Sequence, residues 1–123
     1  MSTPSPASLL KKTLGQAGET LAGVYLETKG YQILARNVRS GQYELDLVVF
    51  DPHYRETVFV EVKTRRNDIG GNPADAVDKR KLKAFITAGR RYAREHHLQT
   101  DWRFDIVAIT PESIDHYENI TFP

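Results

Sequence analysis

Apolar positions recur along this chain with two periods, and the switches between them mark out its elements. From about Ser8 to Lys29, the residues Leu10, Leu14, Ala17, Leu21 and Tyr25 return at helical spacing, and Gly30 follows where a C-cap belongs. This predicts a first helix. Tyr31 to Val38 reads as a strand, Ser40-Gly41 as a turn, and Glu44 to Phe50 as a second, antiparallel strand. Asp51-Pro52 breaks that run before Thr57 to Lys63, whose β-branched and aromatic density predicts a third strand and completes a meander. Arg65 to Pro73 carries Asn-Asp, Gly-Gly and Asn-Pro and reads as a loop. Asp75 can cap a second helix to about His96, with Leu82, Phe85, Ile86, Gly89, Tyr92 and Ala93 on one side. Trp102 to Ile109 is a fourth strand, Pro111 stops it, and His116 to Phe122 adds a weak edge strand.

Composition narrows this picture. A length of 123 residues suits one domain, and the polar, Ser- and Pro-rich residues 1–7 read as a flexible tail before a single domain over 8–123. With no cysteine, disulfide scaffolds, cysteine-ligated metals and thiol nucleophiles are excluded. No secretory or membrane-spanning segment is visible, so the expectation is a cytoplasmic protein without membrane attachment. A formal net charge of +1 does not announce nucleic acid, so any such signal must be local.

The informative residues are acids inside strands that otherwise read as buried. Period-2 alternation puts Val58, Val60 and Val62 on one face of the third strand and Thr57, Phe59, Glu61 and Lys63 on the other. In the second strand Leu45, Leu47 and Val49 share a face, opposite Glu44, Asp46, Val48 and Phe50. If the strands pair so that Asp46 faces Glu61, two carboxylates and an ammonium group converge beside apolar neighbours. Close carboxylates repel, and a hard divalent cation such as Mg²⁺ or Mn²⁺ removes that penalty. Lys63 can then orient or deprotonate an attacking water, or neutralise charge developing on a phosphate. A solvent-facing Glu61–Lys63 pair is the plain alternative, and such a pair contributes about 0–1 kcal/mol.

Glu19 falls almost opposite the Leu10-Leu14-Leu21 stripe, on a flank made of Gly15, Ala22, Gly23 and Leu26. So small a flank permits close approach to a sheet or ligand, although a solvated helical glutamate is the commoner arrangement. The second helix holds Lys79, Arg80, Lys81, Lys83, Arg90, Arg91 and Arg94, with no acid from Lys79 to Arg94. Lys79, Lys83, Arg90 and Arg94 form one stripe that a phosphate backbone could follow, and Arg65 and Arg66 add charge beside Lys63. The histidines, His53, His96, His97 and His116, lack metal-ligand spacing and read as loop or surface residues.

With Glu19 on a helix, Asp46 on a strand and Glu61-Val-Lys63 on the next, the chain resembles the PD-(D/E)XK nuclease superfamily, whose core is αβββαβ. More closely, Gly15 to Glu19, Gly30-Tyr31, Arg36-Asn37, Glu44 to Leu47, Phe59 to Arg65, Ala76-Val77 with Lys81, and Arg103-Phe-Asp105 resemble the bacterial YraN family. The fold implied is α/β: a restriction-endonuclease-like αβββαβ core with a mixed sheet flanked by helices. Carried over by position, the resemblance implies Asp46 and Glu61 as metal ligands, Lys63 as the catalytic lysine and Glu19 as an auxiliary acid reaching the metal through water. Two departures stand out: Leu45 replaces the superfamily's proline, and Tyr43 stands where the closer family usually has glycine. Arg103 and Asp105 match the family, but a structural Arg–Asp pair explains them.

The expected function is metal-dependent hydrolysis of DNA, structure-specific rather than sequence-specific in so small a core. Its nucleic-acid contacts would be Arg65, Arg66, Lys79, Lys81, Lys83, Arg90 and Arg94. Branched DNA would suit two symmetric sites, so a homodimer fits on functional grounds alone. The rivals are a non-catalytic nucleic-acid-binding or scaffold protein that keeps the fold, and a module whose basic helix meets an acidic protein.

Overall fold

The computed structural model describes residues 6–65 and 79–120, with side chains in the first helix from Ala17 onward. Its elements are α1 (Pro6–Thr28), β1 (Gln32–Ser40), β2 (Tyr43–Asp51), β3 (Glu56–Thr64), α2 (Lys79–Glu95), β4 (Asp101–Ile109) and β5 (Ile114–Tyr117). The first six reproduce the expected αβββαβ order, in an α/β fold with a mixed sheet. The edge strand sits earlier than His116 to Phe122, because Ile106 to Ile109 pair antiparallel with Tyr117 to Ile114. Residues 1–5 of the expected tail, Arg66, most of the Arg65 to Pro73 loop and the Asp75 cap lie outside the described residues. No helix among the described residues is long and apolar enough to cross a membrane.

The sheet order is β1-β2-β3-β4-β5, with β3 and β4 parallel and the other neighbours antiparallel. A parallel pair needs a crossover, and α2 lies between β3 and β4 in the chain. Helices on both faces leave the central strands buried on both sides, which is why β2 and β3 read as nearly continuous apolar runs. On one face Ala22 and Leu26 of α1 pack with Tyr31, Leu47, Val49, Val58, Val60, Val107 and Ile109. On the other, Phe85, Ala88 and Ala93 of α2 pack with Leu45, Val48 and Phe59. Tyr43 joins this second cluster, so it covers the α2-side core.

Helix α1 turns Leu21 of its predicted apolar stripe outward, while Tyr25 of that stripe packs on the core. Gly18, Ala22, Gly23 and Leu26 are buried, whereas Leu21 and Val24 are about half exposed, at 50% and 53%. Small residues let the helix approach closely: a Cβ at Gly18 would lie 2.6 Å from Thr64 Cγ2. Glycine within a helix costs about 1 kcal/mol relative to alanine, so two on the inner flank mark a contact that excludes a larger side chain. The helix ends as expected at Gly30, with φ 91, while the Tyr31 amide donates to the Leu26 carbonyl at 3.0 Å.

At the end of the sheet where β3 and β4 begin, Arg103 is buried among carboxylates. Its guanidinium donates to Asp105 from two nitrogens at 3.1 and 3.2 Å, to Asp51 at 2.8 Å, and to Tyr31 Oη at 2.9 Å. Asp105 also meets His116 Nε2 at 2.8 Å and accepts the Asn119 amide at 2.9 Å. The structural role expected for Arg103 and Asp105 is what this network displays. His116 is corrected by it: its side chain is 2% exposed, buried against Asp105 rather than lying on the surface.

Candidate active site

The site forms where the ladder between β2 and β3 opens. Pairing runs from Asp51↔Glu56 to Leu47↔Val60, and one step further in that register would set Asp46 opposite Glu61. Instead β3 stays bonded to β4 as far as Thr64↔Ile109, and β2 stays bonded to β1 as far as Tyr43↔Ser40. The Asp46 carboxylate fills the opening, accepting the Val62 amide hydrogen at 2.8 Å and so satisfying a donor the ladder no longer pairs. Alternation in β2 breaks at the same point. Leu45 joins the α2-side cluster while Leu47 and Val49 join the α1 side, which corrects the single face predicted for all three.

Three carboxylates meet here. Asp46 shares hydrogen bonds with both Glu61 and Glu19, and the charge of exposed Glu44 acts on Asp46 and Glu19. Burial, followed by the charge of Asp46, pushes Glu61 up to about 7. Burial also raises Asp46, with Glu44 adding to the effect and the Val62 amide and Lys63 opposing it. Glu19 is raised by burial and by Asp46 and Glu44, and Asn37 counters by hydrogen bonding to it. All three carboxyls are thus pushed toward their neutral forms, Glu61 furthest, and a divalent cation placed among them would relieve that pressure.

Lys63 Nζ stands 3.9 Å from Glu61 Oε1, with the two side chains 24% and 21% exposed. That is too sheltered for the solvent-facing pair that was the plain alternative. Lys81, near the start of α2, acts on Glu61 electrostatically. Lys79, Lys83, Arg90 and Arg94 are all exposed along α2, and Arg65 is half-buried. Arg66 lies outside the described residues.

Among the described residues, no three His, Asp or Glu side chains are placed to hold a metal together. The donors that fit one are Asp46 and Glu61, hard oxygen ligands whose carboxyls interact directly. Two carboxylates suit an ion such as Mg²⁺ that keeps several waters.

Sequence reasoning assigned no role to Arg36 and Asn37, although both stood in a recognised pattern. Asn37 has φ 50 within β1, beyond a bulge between Ile33 and Ala35, and bonds to Glu19. Asparagine tolerates that left-handed backbone better than most residues, the one signal the sequence offered.

The chain matches the family described as "Uncharacterised protein family UPF0102" over residues 18–109, a stretch that contains Glu19, Asp46, Glu61, Lys63, Arg103 and Asp105. A UPF0102 protein of Bacteroides thetaiotaomicron is 40% identical over 114 residues, covering 89% of this chain and 93% of that protein. One from Chloroherpeton thalassium is 45% identical over 96 residues, covering 77% and 73%. One from Thermotoga petrophila is 40% identical over 102 residues, covering 83% and 91%. Among solved structures, "Crystal structure of SSO0001" aligns with a TM-score of 0.41 at 20% identity, covering 94% of this chain and 52% of that one.

Proposed function

For this chain, which belongs to UPF0102, the YraN family, we propose a metal-dependent nuclease that hydrolyses DNA phosphodiester bonds. One observation carries the reading: the opened end of the β2–β3 ladder gathers Glu19, Asp46, Glu61 and Lys63 into one half-buried cluster. A structural acid has no need of such a place, since Asp46 alone satisfies the Val62 amide. Resemblance to the PD-(D/E)XK pattern supports the same assignment for the same four residues.

Asp46 and Glu61 would hold Mg²⁺ or Mn²⁺, and Glu19 would orient a water beside Asp46. When bound, the ion supplies Lewis-acid polarisation of the phosphodiester and lowers the pKa of a coordinated water. Lys63, sheltered beside Glu61, directs its ammonium group to the attacking water or to charge gathering on the phosphate. Exposed Lys79, Lys83, Arg90 and Arg94 on α2, with Arg65, neutralise the DNA backbone as it approaches an acidic centre that would otherwise repel it. No recognition module accompanies the sheet among the described residues, so a branched or otherwise distorted duplex is the substrate form assigned.

The lack of a three-residue metal cluster among the described residues favours the rival, a nucleic-acid-binding protein that keeps the fold without turnover. Labelled single-stranded, duplex and branched DNA, incubated with Mg²⁺, Mn²⁺ or EDTA, separates the two. The nuclease reading expects cleavage that needs metal and vanishes in Asp46→Asn and Lys63→Ala. Binding without cleavage on every substrate selects the rival.

A further inference from the structure

Beside the acidic cluster, a cavity of about 260 Å³ opens between α1 and β1, lined by Glu19, Thr20, Arg36, Asn37 and Leu47. Arg36 pairs directly across the sheet from Leu47, and the next residue in β2 is Asp46, so the cavity lies one residue from the proposed metal ligands. We propose that it is a subsite for one nucleotide of the DNA strand next to the bond that is cut, with Arg36 holding that nucleotide's phosphate. The proposal rests on the nuclease reading and extends it to the α1 side of the site, where no nucleic-acid contact was assigned.

Three observations support it. The guanidinium of Arg36 is not consumed by a tight ion pair: its carboxylate partner, Glu27, is 3.9 Å away, and the two side chains are 44% and 56% exposed. A planar, weakly hydrated fork with one loose partner is suited to a phosphate. Second, Gly23 of α1 makes room for it. A Cβ there would lie 2.8 Å from Arg36 Nη1 and 3.2 Å from Nη2, so the missing side chain is what lets the guanidinium lie against the helix. Third, the accessible lining is polar: Thr20 and Asn37 offer hydrogen-bonding groups beside Arg36, Asn37 is held in place by its bond to Glu19, and fully buried Leu47 only closes the floor. At roughly 30 Å³ per water, the cavity has room for several waters, more than a bare ion needs.

The test uses full-length protein, a fluorescent branched duplex in EDTA, and affinity measured across a range of KCl concentrations. Arg36→Gln is expected to weaken binding roughly 5- to 10-fold and to reduce the log–log salt slope by about one. Gly23→Ala is expected to weaken binding similarly, while melting no lower than the parent because alanine favours the helix. The pair should couple: Gly23→Ala adds little in an Arg36→Gln background if glycine acts through the guanidinium. Parental affinity and slope in both single variants would overturn the subsite and leave the nuclease reading standing. A parent that binds but never cuts would remove the nuclease reading, with the slope comparison still deciding for or against the nucleotide contact. A parent that binds no DNA would overturn both.

Discussion

Asp46 accepts the amide hydrogen of Val62 at 2.8 Å, so the residue proposed to hold a metal also closes the end of the β2–β3 ladder. The two roles separate by substitution. Asp46→Asn keeps a carbonyl oxygen for the Val62 amide and removes a carboxylate that burial and Glu44 already disfavour. Without metal, the variant should therefore melt at or above the parent at neutral pH, while cleavage falls by about 100-fold or more, at least the effect of disturbing a metal's supporting shell. Asp46→Leu leaves that amide without its partner and should lose about 1–3 kcal/mol in addition. Urea melts alongside a cleavage assay check both; an Asn variant that cuts DNA normally refutes the metal role.

Glu61 makes the metal-free protein sensitive to pH in an unusual direction. Its folded-state pKa, raised to about 7 from 4.5, means that the native state holds a proton the unfolded chain releases. This contribution to stability is fully present below about 4.5 and is lost as the pH rises toward 7. In EDTA the melting temperature should therefore decline over that interval, and Glu61→Gln should flatten the decline. Mg²⁺ competes with the same proton, so its stabilising effect should grow between pH 5.5 and 7.5, a trend that paired thermal melts with and without metal would expose. A metal effect independent of pH contradicts the assignment of Glu61 as a ligand.

The opposite end of the sheet stands on different chemistry. Arg103 is 6% exposed and its partners Asp51 and Asp105 are 1% and 0% exposed, so removing the guanidinium takes the neighbouring cation from two buried carboxylates and leaves them backbone amides and His116. Arg103→Met should cost about 3–5 kcal/mol in a denaturant titration. Burial alone would raise Asp51, but Arg103 and the amides of His53 and Tyr54 hold its carboxyl below the usual range. Its contribution is therefore lost on acidification, as the pH falls below the ordinary aspartate value. A loss under about 1 kcal/mol would show that the pairs merely break even with solvation.

Much of this was legible in the sequence because it follows from period and punctuation. The meander, the crossover helix and the C-cap at Gly30 needed only local pattern, and the nearness of Asp46 to Glu61 followed from their places on adjacent strands, although the ladder opens before it would pair them. What was not legible depends on a competition between faces. Leu21 outweighs Gly18, Ala22 and Gly23 in any hydrophobicity count, yet it is half exposed while the small residues lie against the sheet, where they allow close approach. The break at Asp46 was hidden likewise, since it arises from one ladder ending while its neighbours continue. His116 read as surface because its partner, Asp105, lies on another strand.

Lys63 offers a choice of roles that one pair of variants resolves. Lys63→Arg keeps a positive charge near Glu61 but in a guanidinium that does not release its proton, whereas Lys63→Met has neither a charge nor a transferable proton. If the ammonium group acts on phosphate charge, arginine should retain a substantial part of the rate while methionine loses about 10²–10³-fold, the scale of removing one transition-state donor. If it manages the proton of the attacking water, both variants should fall together. Initial rates at saturating Mg²⁺ decide, and full activity in Lys63→Met would remove Lys63 from the mechanism.

The basic stripe of α2 should act on affinity rather than on chemistry. Lys81, Lys83, Arg90 and Arg94 are all exposed, and the charge of Lys81 also acts on Glu61. Neutralising Lys83 and Arg90 together should lower the magnitude of the log–log salt slope for DNA binding by about two, since each phosphate contact contributes about 0.9. The maximal rate at saturating DNA should be unchanged. Lys81→Gln should instead move the pH dependence upward, because it removes a cation that holds Glu61 down. If the double variant binds with the parent's slope, the stripe does not lie along the DNA, and an acidic protein becomes the partner to seek for α2.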